Sequence, residues 1–127
     1  MGIDSHQSRF FVMMSSAIYP QLDGSQPALF SRAVISDLLR GRLGFDGVVI
    51  TDDVGNAAAV QDVPVGDRAV RFLEAGGTLV LTLDPGGVPE MVDAVLARDA
   101  ADPAFSGQVD AAVRTALTAK AAAGLLG

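Results

Sequence analysis

Gly44-Phe45-Asp46-Gly47-Val48-Val49-Ile50-Thr51-Asp52-Asp53 decides how this chain is read. Its apolar part, Gly47 to Thr51, is rich in β-branched residues and lacks the period-two alternation of a half-exposed strand, so the run predicts a strand covered on both faces. That strand ends in two adjacent carboxylic acids. In parallel α/β architectures the carboxyl ends of strands face the loops that hold ligands, which makes the Asp52-Asp53 pair a candidate for chemistry. Asp is also favoured at caps and turns, so the plain alternative is that one of the pair caps the next segment.

Two further apolar runs, Phe10 to Met14 and Thr78 to Leu83, have the same character. Helical patterns separate and follow them. Ser31 is placed to cap a helix with Val34, Ile35, Leu38 and Leu39 on one face, ending near Gly41 or Gly44. A second helix, from about Asp67 to Ala75, stops at Gly76-Gly77, where a left-handed residue is tolerated. A third begins near Pro89 with Met91, Val92, Val95 and Leu96 inward, and an alanine-rich one runs from about Gly107 to Ala123. Met13 and Met14 read as core packing.

The strand starts, near residues 10, 47 and 78, recur at roughly the 30-residue spacing of an eight-unit β-α barrel of about 250 residues. The chain holds about three such units. Strands alternating with helices also fit an open doubly wound sheet, and spacing does not separate the two. No Gly-x-Gly-x-x-Gly follows any strand, and Gly86-Gly87 is too little for a phosphate loop.

At 127 residues, half of them hydrophobic, the chain has the size of one domain with a moderate core. Fifteen acidic against nine basic side chains, a net charge of −6, argue against nucleic acid and against an anionic membrane surface as partners. The absence of cysteine excludes disulfides and thiolate metal sites and leaves the compartment undetermined. The N-terminus lacks a basic region followed by an apolar stretch, and no apolar run has bilayer length, so a soluble chain without its own export signal is expected.

Asp4-Ser5-His6 places a carboxylate two residues from the only imidazole, an arrangement in which the acid can hold the ring and raise its pKa. A solvated terminal His is the ordinary alternative. Ser15 and Ser16 end the first strand and Tyr19-Pro20 opens the loop beyond it, so hydroxyls there can reach a sugar or cap a loop. Asp84-Pro85 reads as a turn start, and Asp23 and Asn56 as loop residues that no spacing singles out. One His with scattered carboxylates gives no zinc spacing.

Taken together, these segments resemble glycoside hydrolase family 3, in its β-N-acetylhexosaminidase branch. Val12-Met13-Met14-Ser15-Ser16-Ala17-Ile18-Tyr19-Pro20 resembles that family's sixth strand and loop, and Pro27, Ala28 and Ser31 its Pro-Ala-x-x-Ser helix start. Leu38-Leu39-Arg40 and Leu43-Gly44-Phe45-Asp46-Gly47-Val48-Val49 match its Leu-Leu-Arg…Leu-Gly-Phe-x-Gly-x-Val. Thr51-Asp52-Asp53 matches its Ser/Thr-Asp motif, and the resemblance assigns the nucleophile to Asp52, with Asp53 orienting or contacting substrate. Ala75-Gly76-Gly77 and Leu79-Val80-Leu81 resemble the Ala-Gly-x-Asp stretch and eighth strand, with Thr78 where the family has Asp.

The branch carries an acid/base His paired with Asp in an Asp-Ser-His loop, and Asp4-Ser5-His6 has those letters. In the family roughly one more helix separates that loop from the sixth strand. Here only Gln7, Ser8 and Arg9 precede Phe10, too few for a helix at about 1.5 Å rise per residue. Two alignments therefore stand: an acid/base loop with a deleted segment, or Gly2 to Arg9 as an ordinary connection into the strand.

The resemblance implies a single partial barrel domain over 1–127, an α/β fold made of the last three β-α units of a (β/α)8 barrel. It lacks the family's Lys-His motif and its sugar-binding Arg and Asp. It implies a retaining hydrolase of terminal β-linked N-acetylglucosamine, as in peptidoglycan fragments, using no cofactor and no metal, impaired or inactive in this form. Asp52 attacks the anomeric carbon, His6 is the candidate acid, and Ser15, Ser16 and Asp53 are candidate substrate contacts. The rival reading is a catalytically dead barrel piece that acts as an interaction module, through a homo-oligomer or a complementing barrel half, because open strand edges invite pairing. A small doubly wound binding domain is the third.

Overall fold

Two of the three apolar runs form regular strands in the computed structural model, which describes residues 11–122 and 124. β1 (Phe11–Met14) and β2 (Val48–Thr51) pair in parallel, with Phe11 opposite Val48 and Met14 opposite Thr51. Both strands therefore finish at the same edge of the sheet.

The Thr78–Leu83 stretch departs from the expected third strand. A single parallel bridge joins Leu79 to Ile50, and Thr51 N–H donates to the Leu79 carbonyl at 3.1 Å. Around that bridge two hydroxyls replace backbone partners: Thr78 Oγ1 accepts from Val49 N–H at 3.1 Å, and Thr51 Oγ1 accepts from Leu81 N–H at 2.7 Å. Side-chain acceptors that compete with backbone carbonyls break the even spacing of a parallel ladder. The fold is α/β with two regular parallel strands and a third segment tied alongside.

The remaining elements follow in chain order. α1 (Pro20–Asp23) is one turn, and a 3₁₀ turn spans Ala28–Phe30. The helix expected after Ser31 is present, and Ser31 Oγ accepts from Val34 N–H at 3.2 Å as an N-cap would. Its turns are wider than α: Ala33–Arg42 is a π-helix, closed by Leu43 N–H donating to the Leu38 carbonyl at 2.9 Å. Ten residues of apolar patterning do not distinguish the two helix types.

A 3₁₀ turn at Ala58–Val60 leads to α2 (Val65–Ala75), whose last turn closes on Gly76. Gly76 has φ of +112°, and its N–H donates to the Leu73 and Phe72 carbonyls. A side chain there would be strained and would run into Ser36. A 3₁₀ turn at Pro85–Gly87 is capped by Asp84, whose Oδ1 accepts from Gly86 N–H at 3.1 Å.

α3 (Val88–Ala101) and α4 (Pro103–Ala122) complete the described chain. α4 starts earlier than Gly107 because Asp102 caps it, Oδ1 accepting from Ala104 and Phe105 N–H, with Pro103 in the first turn. Arg98 donates to Asp102 Oδ2, which with the helix amides holds that carboxyl below its usual range. α3 corrects a second expectation, for Met91 is buried while Val92 and Leu96 are 48% and 61% exposed. Its apolar stripe is wider than the surface α2 and α4 cover.

The core lies on one face of the sheet. Val12, Met14 and Val49 pack there with Leu29, Phe30, Ile35, Leu39 and Phe72. Along β1 the opposite face is open, with Phe11 55% and Met13 59% exposed, so Met13 is not core packing, whereas Val48 of β2 is fully buried there.

Arg40 joins the edge opposite Asp52. Its Nε donates to the Gly76 carbonyl at 2.8 Å, Nη1 to Gly47 at 3.0 Å, and Nη2 to Thr78 Oγ1 at 3.0 Å. One guanidinium thus ties the end of α2, the entry to β2 and the start of the third segment. Its burial lowers its pKa, opposed by Asp46. At the other edge Asp23 links α1 to the π-helix, with Oδ1 accepting from Ser25 and Oδ2 from Ser31 Oγ at 2.7 Å and Gln26. The Ser25 and Ser31 bonds hold the Asp23 carboxyl far below the usual range.

Two outcomes follow for stability. Arg40→Ala should cost about 2 kcal/mol or more by denaturant unfolding, since it strips charge-assisted bonds from the Gly76 and Gly47 carbonyls and the Thr78 hydroxyl, in three segments. Asp23 has a folded pKa depressed below its ordinary 3.8, so its contribution is present above that pH and lost as pH falls below it. Melts of the parent and Asp23→Asn should accordingly differ at pH 7 and converge in the window downward from about 3.8.

Candidate active site

Asp52 is the first residue past β2, and its N–H donates to the Met14 carbonyl at 3.1 Å, carrying the parallel pairing one step beyond the strands. The backbone of Asp52 is thereby fixed to β1. Its Oδ1 accepts from the N–H of Asp53 at 2.9 Å, and the side chain is partly exposed. The carboxylate keeps its second oxygen free of partners among the described residues.

Asp53 is engaged differently. Its Oδ1 accepts from Leu83 N–H at 2.8 Å and Gly55 N–H at 2.9 Å, and Oδ2 from Asn56 N–H at 3.2 Å. The Leu83 amide, then the Gly55 and Asn56 amides, hold its carboxyl below the usual carboxylate range. Backbone donors to a carboxylate favour its charged form. Asp53 therefore ties the loop after β2 to the end of the third segment, and Asn56 enters through the same Asx turn.

The loop and that segment's end also touch directly. A Cβ at Gly55 would meet Thr82 Oγ1 at 2.5 Å and Asp84 Cβ at 2.8 Å, so only glycine fits that approach. The parallel register brings Ser15 beside Asp52, since Met14 faces Thr51. Ser15 Oγ accepts from Ala17 N–H at 2.9 Å, closing a local turn, and Ser16 is partly exposed next to it. Ser15, Ser16, Asp52 and Asp53 thus share one sheet edge. Asp4 and His6 lie outside the described residues.

Arg68 supplies a contact that the sequence reading missed. It sits in the first turn of α2, 4% exposed, and donates from Nε to the Val63 carbonyl and from Nη1 to the Val54 carbonyl, each at 2.8 Å, with a longer contact to Gly55 at 3.4 Å. Helical spacing from Phe72 places Arg68 on the buried face, and a cation at an inward position was the available signal.

A cavity of about 450 Å³, lined by Arg32, Arg40, Phe45, Asp46 and Gly76, opens at the far end of the sheet from Asp52. Among the described residues no group of three or more His, Asp or Glu is placed to hold a metal ion.

The family description Glycosyl hydrolase family 3 N terminal domain matches residues 3–117. A β-hexosaminidase of Stenotrophomonas maltophilia is 45% identical over 87 residues, 68% of this chain and 26% of its own length. The solved β-N-acetylhexosaminidase of Beutenbergia cavernae superposes with a TM-score of 0.85 at 52% identity, over 87% of this chain and 33% of that one. A glycoside hydrolase family 3 β-N-acetylglucosaminidase of Paenibacillus superposes at 0.84 and 30% identity, over 92% and 23%. The chain spans about a quarter of the length of the curated relatives it matches. With a family description covering most of its residues, the chain belongs to glycosyl hydrolase family 3.

Proposed function

We propose that this chain carries the nucleophile of a retaining glycoside hydrolase that releases terminal β-linked N-acetylglucosamine. The observation that carries the reading is the placement of Asp52, a partly exposed carboxylate at the carboxyl edge of a parallel strand, with its backbone pinned by Met14 and one oxygen unengaged among the described residues. The names borne by the relatives, β-hexosaminidase and β-N-acetylhexosaminidase, supply the sugar.

In this reading residues 1–127 form one partial domain, the last three units of a (β/α)8 barrel, with the Thr78–Leu83 segment in the place of the last strand. Asp52 attacks the anomeric carbon, the glycosidic oxygen leaves as an acid protonates it, and water activated by the same group releases the sugar. His6, held by Asp4, is the proposed acid/base, and Ser15 and Ser16 the proposed hydroxyl contacts. Asp53 is the orienting carboxylate, its amide on Asp52 and its side chain on the loop after β2 and the end of the third segment. The chemistry calls for no cofactor.

A second reading is favoured by the open face of β1, where Phe11 and Met13 are exposed, and by the uncovered stripe of Val88, Val92 and Leu96 on α3. Apolar surface of this kind marks contact with other protein. In that reading the chain is an interaction module that pairs with itself or with a complementing barrel half.

The two readings separate in one assay pair. With a chromogenic N-acetyl-β-glucosaminide the parent chain should turn over slowly, and Asp52→Ala should lose on the order of 10³-fold or more of that rate at unchanged melting temperature. Absence of turnover in the parent, together with a particle heavier than one chain by light scattering, would favour the interaction module. For the open face, Phe11→Ser with Met13→Ser should shift any such assembly toward the single chain.

A further inference from the structure

Arg68 is placed where electrostatics disfavours a cation. It is buried, it stands in the first turn of α2, where the helix dipole repels positive charge, and neither of the two ion pairs among the described residues includes it. What compensates the charge is a set of carbonyls from one loop. Val54 and Gly55 immediately follow Asp52-Asp53, and Val63 closes the same loop before α2. A planar guanidinium presents donors in a fixed fork, so holding carbonyls from both ends of a loop fixes their separation in a way a lysine cannot.

Asp53 grips the same loop from the opposite polarity, taking its amides while Arg68 takes its carbonyls. The two grips overlap on Val54 to Asn56, and Asp52 stands just before that held stretch, joined to it through Asp53. The Asp53 amide that donates to Asp52 Oδ1 belongs to that junction, so the orientation of the carboxylate depends on how firmly the backbone is held. A carboxylate that must attack along a defined line loses rate steeply when displaced.

We propose that Arg68 is a positioning residue, which acts through the Val54, Gly55 and Val63 carbonyls to hold the Asp52 carboxylate in its attacking orientation. The inference rests on the reading of Asp52 as nucleophile. Arg68 touches no substrate in this account, and its effect is on the attacking step rather than on sugar binding.

The test uses the whole chain as parent and Arg68→Lys, with amide and guanidinium hydrogen exchange by NMR beside hydrolysis of the chromogenic N-acetyl-β-glucosaminide. The parent should show an Arg68 Nε–H that exchanges at least about tenfold more slowly than that of Arg71, which is exposed on the same helix. Equal exchange of the two would overturn the brace even if the variant did not fold. In a folded Arg68→Lys, the amides of Gly55 and Asn56 should exchange about tenfold faster while those of α3 and α4 hold, with kcat down about 10²-fold and KM within about twofold. Faster loop exchange with unchanged kcat would overturn the positioning role. Turnover absent from the parent would instead sink the Asp52 reading and the catalytic part of this proposal with it, and the exchange measurements would still decide the brace.

Discussion

Parallel pairing of β1 with β2 is the constraint on which the rest of the structure depends. Two parallel strands end at one edge, and the loops that leave them must then share that edge whatever their sequence. Because Met14 faces Thr51, the pairing delivers Ser15 and Asp52 side by side, and the Asp52 amide continues the ladder onto the Met14 carbonyl. A one-residue slip would send Asp52 toward the helices and Thr51 toward solvent. The buried face of Val12, Met14 and Val49 against Ile35 and Phe72 is what resists that slip.

Around this pair, side chains do work that backbone does in a longer sheet. Thr51 and Thr78 hydroxyls fasten the third segment, Arg40 gathers carbonyls at one edge, and Asp53 with Arg68 secures the loop at the other. Thr78 stands where the family resemblance puts an Asp, and its hydroxyl takes bonds from Arg40 and Val49 without offering a charge. Arg40 therefore remains a partly buried cation held mainly by neutral oxygens, which is why its burial lowers its pKa.

Much of this was legible in the sequence. The β-branched run ending in Asp52-Asp53, the apolar phase of α2 and its stop at Gly76 are local signals, and local signals survive folding. The ladder of Thr78–Leu83 was not legible, because whether a threonine hydroxyl intercepts an amide depends on a neighbour some thirty residues away. Periodicity turns Val92 and Leu96 inward because it identifies an apolar face but not what covers it, and both are exposed. Family letters pointed to Asp52. They said nothing of Arg68 or Asp23, whose roles come from which backbone groups lie within reach.

The central claim is that Asp52 forms a bond to the sugar. A slowly released fluoroglycoside of N-acetylglucosamine, incubated with the chain, digested and sequenced by mass spectrometry, tests it most directly. The account predicts one adduct of a single sugar on Asp52, absent from Asp52→Asn. An adduct on Asp53 or any other carboxylate, or none under conditions that label the Beutenbergia cavernae β-N-acetylhexosaminidase, would contradict it.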